Sequence, residues 1–545
     1  VNEIKTGTQS TAQTLRKLNV SPLRIGILFL FAVAAVSAAV HSVGDEAARS
    51  DTTGRAPAAE TRNLQVSSKS NSQVHLVGSR LRGVNSCAAA SCHGGGRAQE
   101  GIGFAASQIW ARSDPHSRAW EVLTGPTARK MMAILNTDSE TAPLRATEDA
   151  RCLNCHVTTE DLLPLTTMDP LIYDHDGVGC ESCHGPAADW LAVHSTPEWK
   201  TLTPNARQSL GFVDTTKSIV DRAKLCSQCH VGGDGRNVTH DLLAAGHPRL
   251  DFEFSTFHAN VPVHWTARPG NAEIQSDPEL RQDFAIHAWF TGQLVSAHSS
   301  LELLEHRTTQ PDLWPDFAEH ACFNCHHDLE DQNWYQLRSE ARGRPAWGAW
   351  NFGLYPVVAA GQTEHTALQT LKQIMQHPVP DPRAAQINAN SLKQLIGEQL
   401  RNVDTLRWNT ERIDQLVVNL IRHCQVNAAG GASLPASSWD EAAQLYLALR
   451  AALISRNKLV PQDPLSSVLQ AQLEILRRSL LFHPGADSPG SSSASRTKLM
   501  QSALQQIERL LTSNSDHPPI KATLPDHAPI ESPPSRAGAA SSETP

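Results

Sequence analysis

The chain has 545 residues, enough for two or three domains, and a formal net charge of −8. That acidic balance speaks against nucleic acid as a partner. Aromatic residues make up only 5% of it, few for its size, while it holds 25 histidines and 11 cysteines.

In chain order, Lys5, Arg16, Lys17 and Arg24 precede an apolar run from Ile25 to Val40. The run is short for a membrane span and near the upper end for the apolar region of a signal peptide. Val36-Ser37-Ala38 offers a small-residue cleavage site. Residues 1–40 therefore read as a secretory signal. The alternative is an uncleaved anchor, with residues 25–40 holding the protein to the inner membrane. Residues 41–77 are rich in Ser, Thr, Ala and charge without apolar periodicity, which predicts a disordered linker.

Between Cys87 and His326 the chain places a histidine directly after a pair of cysteines five times. The strings are Cys87-Ala-Ala-Ala-Ser-Cys92-His93, Cys152-Leu-Asn-Cys155-His156, Cys180-Glu-Ser-Cys183-His184, Cys226-Ser-Gln-Cys229-His230 and Cys322-Phe-Asn-Cys325-His326. This is the mark of covalent c-type haem attachment. The two thiols bond the porphyrin, and the adjacent histidine sits under the iron. A zinc ribbon would need two cysteine pairs converging on one ion, with no histidine after each pair. A redox dithiol would occur once. The first motif has four residues between its cysteines, and a disulfide is its competing reading; a small outward bulge at Ala88–Ser91 would still let both sulfurs reach one ring. Gly94, Gly95 and Gly96 are expected to keep space clear beside it. Ten of the eleven cysteines are used this way, which predicts five covalent haems. Cys424, in an apolar helical stretch, reads as a buried structural thiol. Haem propionates would make the protein more acidic still and suit a basic redox partner. Haem attachment of this kind takes place outside the bacterial plasma membrane, so a periplasmic or exported location follows.

Residues 78–356 are predicted to form this multihaem domain. They are rich in Gly, Pro, His and Asp, with brief helical periodicity, as if porphyrins supplied most of the core. A second histidine on each iron would give a low-spin centre suited to electron transfer. Methionine ligands are disfavoured, because none of the five methionines lies in a motif. His116, after the helix-starting Pro115, is a candidate sixth ligand. So is His194, ten residues after the third motif. His240 and His247, seven apart, are expected to share one helix face. His327 directly follows His326 and points away from it, toward another haem. His258 and His264 rank second, His175 reads as a turn residue, and His287, His298, His306 and His320 have no motif around them.

Residues 357–511 are predicted to be an all-α domain. Apolar residues recur at helical spacing at Leu368, Leu371 and Met375, at Leu392, Ile396 and Leu400, and at Ile413, Leu416 and Leu420. Ser438-Trp-Asp-Glu441 reads as a capping box. Leu465–Leu481 and Lys498–Leu511 complete about five helices. Residues 512–545 are rich in Pro, Ser and Ala and read as a disordered tail. The fold class is mainly α with much irregular structure, a multihaem cytochrome c domain followed by an all-α domain.

The chain resembles the multihaem cytochromes c related to cytochrome c-554, in particular exported multihaem cytochromes of the planctomycete type. The strings that carry this are the first motif with Gly94-Gly95, Asp114-Pro115-His116, Gly177-Val-Gly-Cys180-Glu-Ser-Cys183-His184-Gly-Pro, His240-Asp-Leu-Leu-Ala-Ala-Gly-His247-Pro-Arg-Leu, Cys322-Phe-Asn-Cys325-His326-His327 and Trp347-Gly-Ala-Trp350. The resemblance covers about residues 84–356 and implies stacked haem pairs and electron transfer. The fifth motif and the long helical region depart from the tetrahaem pattern. An electron carrier is the expected function. The alternative is a haem oxidoreductase acting on small nitrogen or sulfur compounds at one five-coordinate iron, although no catalytic constellation is visible.

Overall fold

The computed structural model describes residues 80–95, 102–136, 144–159, 174–265, 278–322, 325–326, 346–427, 439–481 and 494–513. The expected signal, the linker, the capping Ser438, His327 and nearly all of the C-terminal tail lie outside them. The described chain is mainly helical, and its only β-pairing is two isolated bridges, Gly233–Arg236 and His320–Trp347. None of its helices is long and apolar enough to cross a membrane; residues 25–40 lie outside that statement.

The first part is built from short helices separated by loops. They are α1 (Ala106–Ser113), α2 (Ala119–Leu123), α3 (Pro126–Leu135), α4 (Ala150–His156), α5 (Glu181–His184), α6 (Ile219–His230), α7 (His240–Ala244) and α8 (Phe254–Asn260). Side-chain oxygens start several of them, satisfying amides that the first turn leaves open. Asp149 caps α4, Ser218 caps α6, Thr239 caps α7 and Glu253 caps α8. Apolar packing is thin here. Leu123, Ala128, Met132, Ala146, Leu153 and Val157 form one small cluster joining α2, α3 and α4.

A long helix follows, α9 (Phe284–Thr308). Sequence periodicity does not reveal it, because it is buried almost all round from Ile286 to Leu304 and so has no apolar stripe to recur. Against it pack α6 and α8. The later helices are α10 (Gln362–Met375), α11 (Pro382–Leu400), α12 (Thr410–Asn427), α13 (Trp439–Leu459), α14 (Ser466–Leu480) and α15 (Ala494–Thr512), of which α11 and α13 pack directly on α9. Their order follows the predicted apolar repeats, one helix per repeat. Asp381 caps α11, with Pro382 at its first position, where a missing N–H costs nothing. One hydrophobic core runs from Ile219 on α6 through Trp289 and Leu301 on α9 to Leu511 on α15. Position 356 is therefore not a break in packing. Cys424 lies inside this core, and burial pushes its thiol well up.

Candidate haem-binding site

The motifs share one local geometry. In α4 and α6 the cysteines stand three residues apart on a helix, which puts both thiols on one face. The histidine then closes the helix. In the third motif the His184 amide donates to the Cys180 carbonyl at 2.9 Å, and in the fifth the His326 amide donates to the Cys322 carbonyl at 2.8 Å. The first motif makes the same closing bond despite its longer loop, from the His93 amide to the Cys87 carbonyl at 3.2 Å. Its extra residues fold out through bonds from Cys92 and Gly94 to the Ala89 carbonyl. Against expectation, Gly94 and Gly95 do not leave open space; Gly96 lies outside the described residues. A Cβ on Gly94 would sit 1.9 Å from the Ala88 oxygen, so Gly94 is there to let the loop fold back on itself.

Residues inside the motifs, which read as spacers in the sequence, fasten the motifs to one another. Glu181, inside the third, is buried and accepts from the amides of Arg82 and Gly83 at 3.0 and 2.8 Å and of Ala187 at 2.7 Å. That ties the segment leading to the first motif onto the third. Asn154, inside the second, donates to the Gly235 carbonyl at 2.7 Å and accepts from Arg236 at 2.6 Å. That ties the second motif to the loop after the fourth. Ser227, inside the fourth, hydrogen-bonds Ser299 on α9 at 2.8 Å. The only sequence signal was a polar residue (a carboxylate, a carboxamide or a hydroxyl) where any residue would serve as a spacer.

The thiols follow the same adjacency. Cys87 and Cys180 lie close enough to shift each other's ionisation, and so do Cys155 and Cys229. Desolvation first, and then the nearby Cys226 thiol, push the Cys183 thiol up. The motifs thus stand in the order first, third, fourth, second.

Histidines meet across this row. His93 and His194 have ring centres 6.3 Å apart, with the planes 17° from parallel. His230 and His116 are 6.0 Å apart and nearly perpendicular. Two nitrogen–metal bonds of about 2 Å each, plus about 1 Å from each bonding nitrogen to its ring centre, span about 6 Å. His247 lies within electrostatic reach of His156, and burial and then His247 pull the His156 imidazole down. Its Ala119 hydrogen bond works the other way. Burial, then His264 and His93, pull His184 down to about 4. Burial and then His116 do the same to His230. A neutral imidazole is the form that ligates metal.

The ring nitrogens are sorted as a metal ligand requires. Nδ1 is held by the Gly103 carbonyl in His93 (2.8 Å), by Ala119 in His156 (2.9 Å), by Leu191 in His194 (2.5 Å), by Pro248 in His247 (2.7 Å) and by Pro262 in His264 (3.0 Å). In His116 it is held by the buried Asp114 carboxylate at 2.8 Å, which raises the imidazole's basicity. In each the outer Nε2 has no hydrogen-bond partner among the described residues and is free to bind a metal.

Residues 86–185 match the family of cytochrome c554 and c-prime. No curated protein and no solved structure matches the chain. The c554 match spans the first three motifs, His116 and the Asp114 beside it. With that family comes covalently bound haem c as cofactor, and electron transfer. The residues fit the group: a thiol pair on one turn, a histidine at its end, and a second ring across a metal-sized gap.

The expected sixth ligands are placed unequally. His116 and His194 each face a motif histidine, and His247 is within reach of one. His240 does not share a helix face with His247, because α7 ends at Ala244 and Gly246 turns the chain at φ 114°. His264, ranked second in the sequence, lies within electrostatic reach of His184; its signal was the Val261-Pro262-Val263 turn, whose Pro262 carbonyl holds its ring. His258 is taken by Arg222 and Glu279. His175 lies in a 3-10 turn against Trp120. His287 is enclosed in the helical core with neither ring nitrogen bonded.

Proposed function

We propose that the chain is an exported c-type cytochrome with five covalent haems, four of them bis-histidine centres in one row, and that it carries electrons between redox proteins. The observation that carries this reading is the opposition of imidazoles across an iron-sized gap in two pairs, His93 with His194 and His230 with His116. The same reading pairs His156 with His247 and His184 with His264, which lie within electrostatic reach of each other. Cys87, Cys92, Cys152, Cys155, Cys180, Cys183, Cys226, Cys229, Cys322 and Cys325 hold the rings, and His326 completes the fifth motif.

Haem iron with two imidazoles supplies one-electron exchange at nearly constant geometry. The protein's part is to fix distance and orientation. Glu181 and Asn154 set the spacing of neighbouring motifs, Ser227 fastens the fourth to α9, and the carbonyls on Nδ1 orient the rings of His93, His156, His194, His247 and His264. Asp114 makes His116 a stronger donor than its carbonyl-bonded counterparts. The formal charge of −8, increased by propionates, suits a basic partner. The apolar run at residues 25–40 supports export and leaves room for membrane association.

Electron paramagnetic resonance of the oxidised protein tests this. A spectrum dominated by low-spin iron is expected. A strong high-spin signal that shifts with nitrite or hydroxylamine would replace the carrier by a haem oxidoreductase.

A further inference from the structure

The four pairs above leave the fifth motif without a second imidazole, and the segment from His240 to Asp251 is wedged between it and the second. Helix α7 packs on α3 on one side and on the 3-10 turn Phe317–Glu319, which leads into Cys322, on the other. The His240 amide donates to Asp316 Oδ1 at 3.0 Å, and the His240 ring meets Phe317 edge-on at 5.9 Å. No described residue bonds its ring nitrogens. Nine residues on, Arg249 pairs with Asp251 at 3.1 Å and bidentately with Asp440 at the start of α13, at 2.8 and 3.0 Å. This cluster lies within electrostatic reach of the Cys322 thiol. The other flank of the segment belongs to the second motif. Asp241 acts on Arg151, which precedes Cys152, and His247 acts on His156. The turn between them calls for glycine, because Gly246 has φ 114°, a conformation L side chains rarely adopt.

We infer that His240 is the sixth ligand of the fifth haem, and that α7, with His240 on one side and His247 following on the other, couples the fifth haem to the second. This rests on the proposed multihaem reading. The row then runs first, third, fourth, second, fifth, with its ends at the first and fifth motifs. Electrons would join and leave at those ends. Three other described histidines are engaged elsewhere. His258 is held by Arg222 and Glu279, His306 by Asp234 and Gln310, and His320 has its Nε2 at the Met375 carbonyl. The helical region gains a role as well, since Asp440 on α13 clamps Arg249 and so the end of the wedge.

The test uses the full-length, matured protein and three variants: His240→Ala, His240→Met, and Cys322→Ser with Cys325→Ser, which removes the fifth haem. His240→Ala should turn one haem high-spin in the paramagnetic resonance spectrum. His240→Met should keep that haem low-spin, raise one redox step, and add the near-infrared band of a methionine-bound ferric haem. In the background lacking the fifth haem, His240→Ala should change nothing. A high-spin signal that persists in that background would assign His240 to another haem and overturn the inference. So would an unchanged spectrum in both single variants. Failure of the broader reading is distinguishable: intact mass would then show fewer haems than motifs before any variant is made.

Discussion

Replacing His116 with alanine removes one of two imidazoles that face each other at the fourth motif. The rings stand 6.0 Å apart, and the wild-type Nε2 of His116 has no described partner to compete for it. No other histidine ring contacts His230, so its iron should lose its sixth ligand. The site is one of five, so about one fifth of the iron should become high-spin. A stability cost accompanies this. Asp114 keeps the amide bond at 3.0 Å but loses the ring bond at 2.8 Å. A hydrogen bond to a charged group is worth about 1.5–3 kcal/mol. The His116 ring is 41% exposed, which places the loss at or below about 1.5 kcal/mol on that scale. The variant should therefore fold, and added imidazole should restore low spin by filling the space the side chain left. Paramagnetic resonance before and after imidazole is the assay. Five unchanged low-spin centres would refute the pairing. So would a high-spin signal that survives Cys226→Ser with Cys229→Ser, because it would then come from another haem.

Other perturbations separate structural histidines from ligands. His258→Ala should leave every haem low-spin, since His258 belongs to the Arg222–Glu279 group; a new high-spin signal would show that this histidine binds iron. His287→Leu should remove a pH dependence of stability. Burial first, with Arg281 and Arg407 against Asp283, pulls His287 down to about 3, so the unfolded chain takes up the proton first, near pH 6.5. The stability tied to His287 is complete above that pH and falls as the solution is acidified toward pH 3. From pH 6.5 to 5 the wild type should lose about 2 kcal/mol more than the variant, by guanidinium titration followed by circular dichroism; equal losses would exclude the effect. Asp440→Ala leaves Arg249 with Asp251 alone and should cost up to about 3 kcal/mol. An unchanged melting temperature would mean the clamp is inert.

The motifs were legible because their chemistry is local: two thiols and a histidine must lie within one turn to serve one ring. The later helices were legible because each buries one face, as the repeat at Leu392, Ile396 and Leu400 shows. Helix α9 was hidden by being buried on every side. The pairing of histidines was only partly legible. Pro115 announced His116, since proline starts a helix and Asp114 before it caps the first amide. His264 gave only the weaker signal of the Val261-Pro262-Val263 turn, and nothing in it names His184. The seven-residue spacing of His240 and His247 suggested one helix face, yet Gly246 turns His247 toward a different motif. Glu181, Asn154 and Ser227 escaped notice because their partners, Arg82, Gly235 and Ser299, come from distant parts of the chain.

Intact-protein mass spectrometry of the exported, matured chain tests the central claim most directly, because thioether-bonded haem stays on the polypeptide after denaturation. The expected mass is that of the polypeptide plus five haems, with tryptic peptides carrying one haem at each cysteine pair, the Cys87–Cys92 pair included. A mass without haem, or ten alkylatable thiols at those positions, would contradict it.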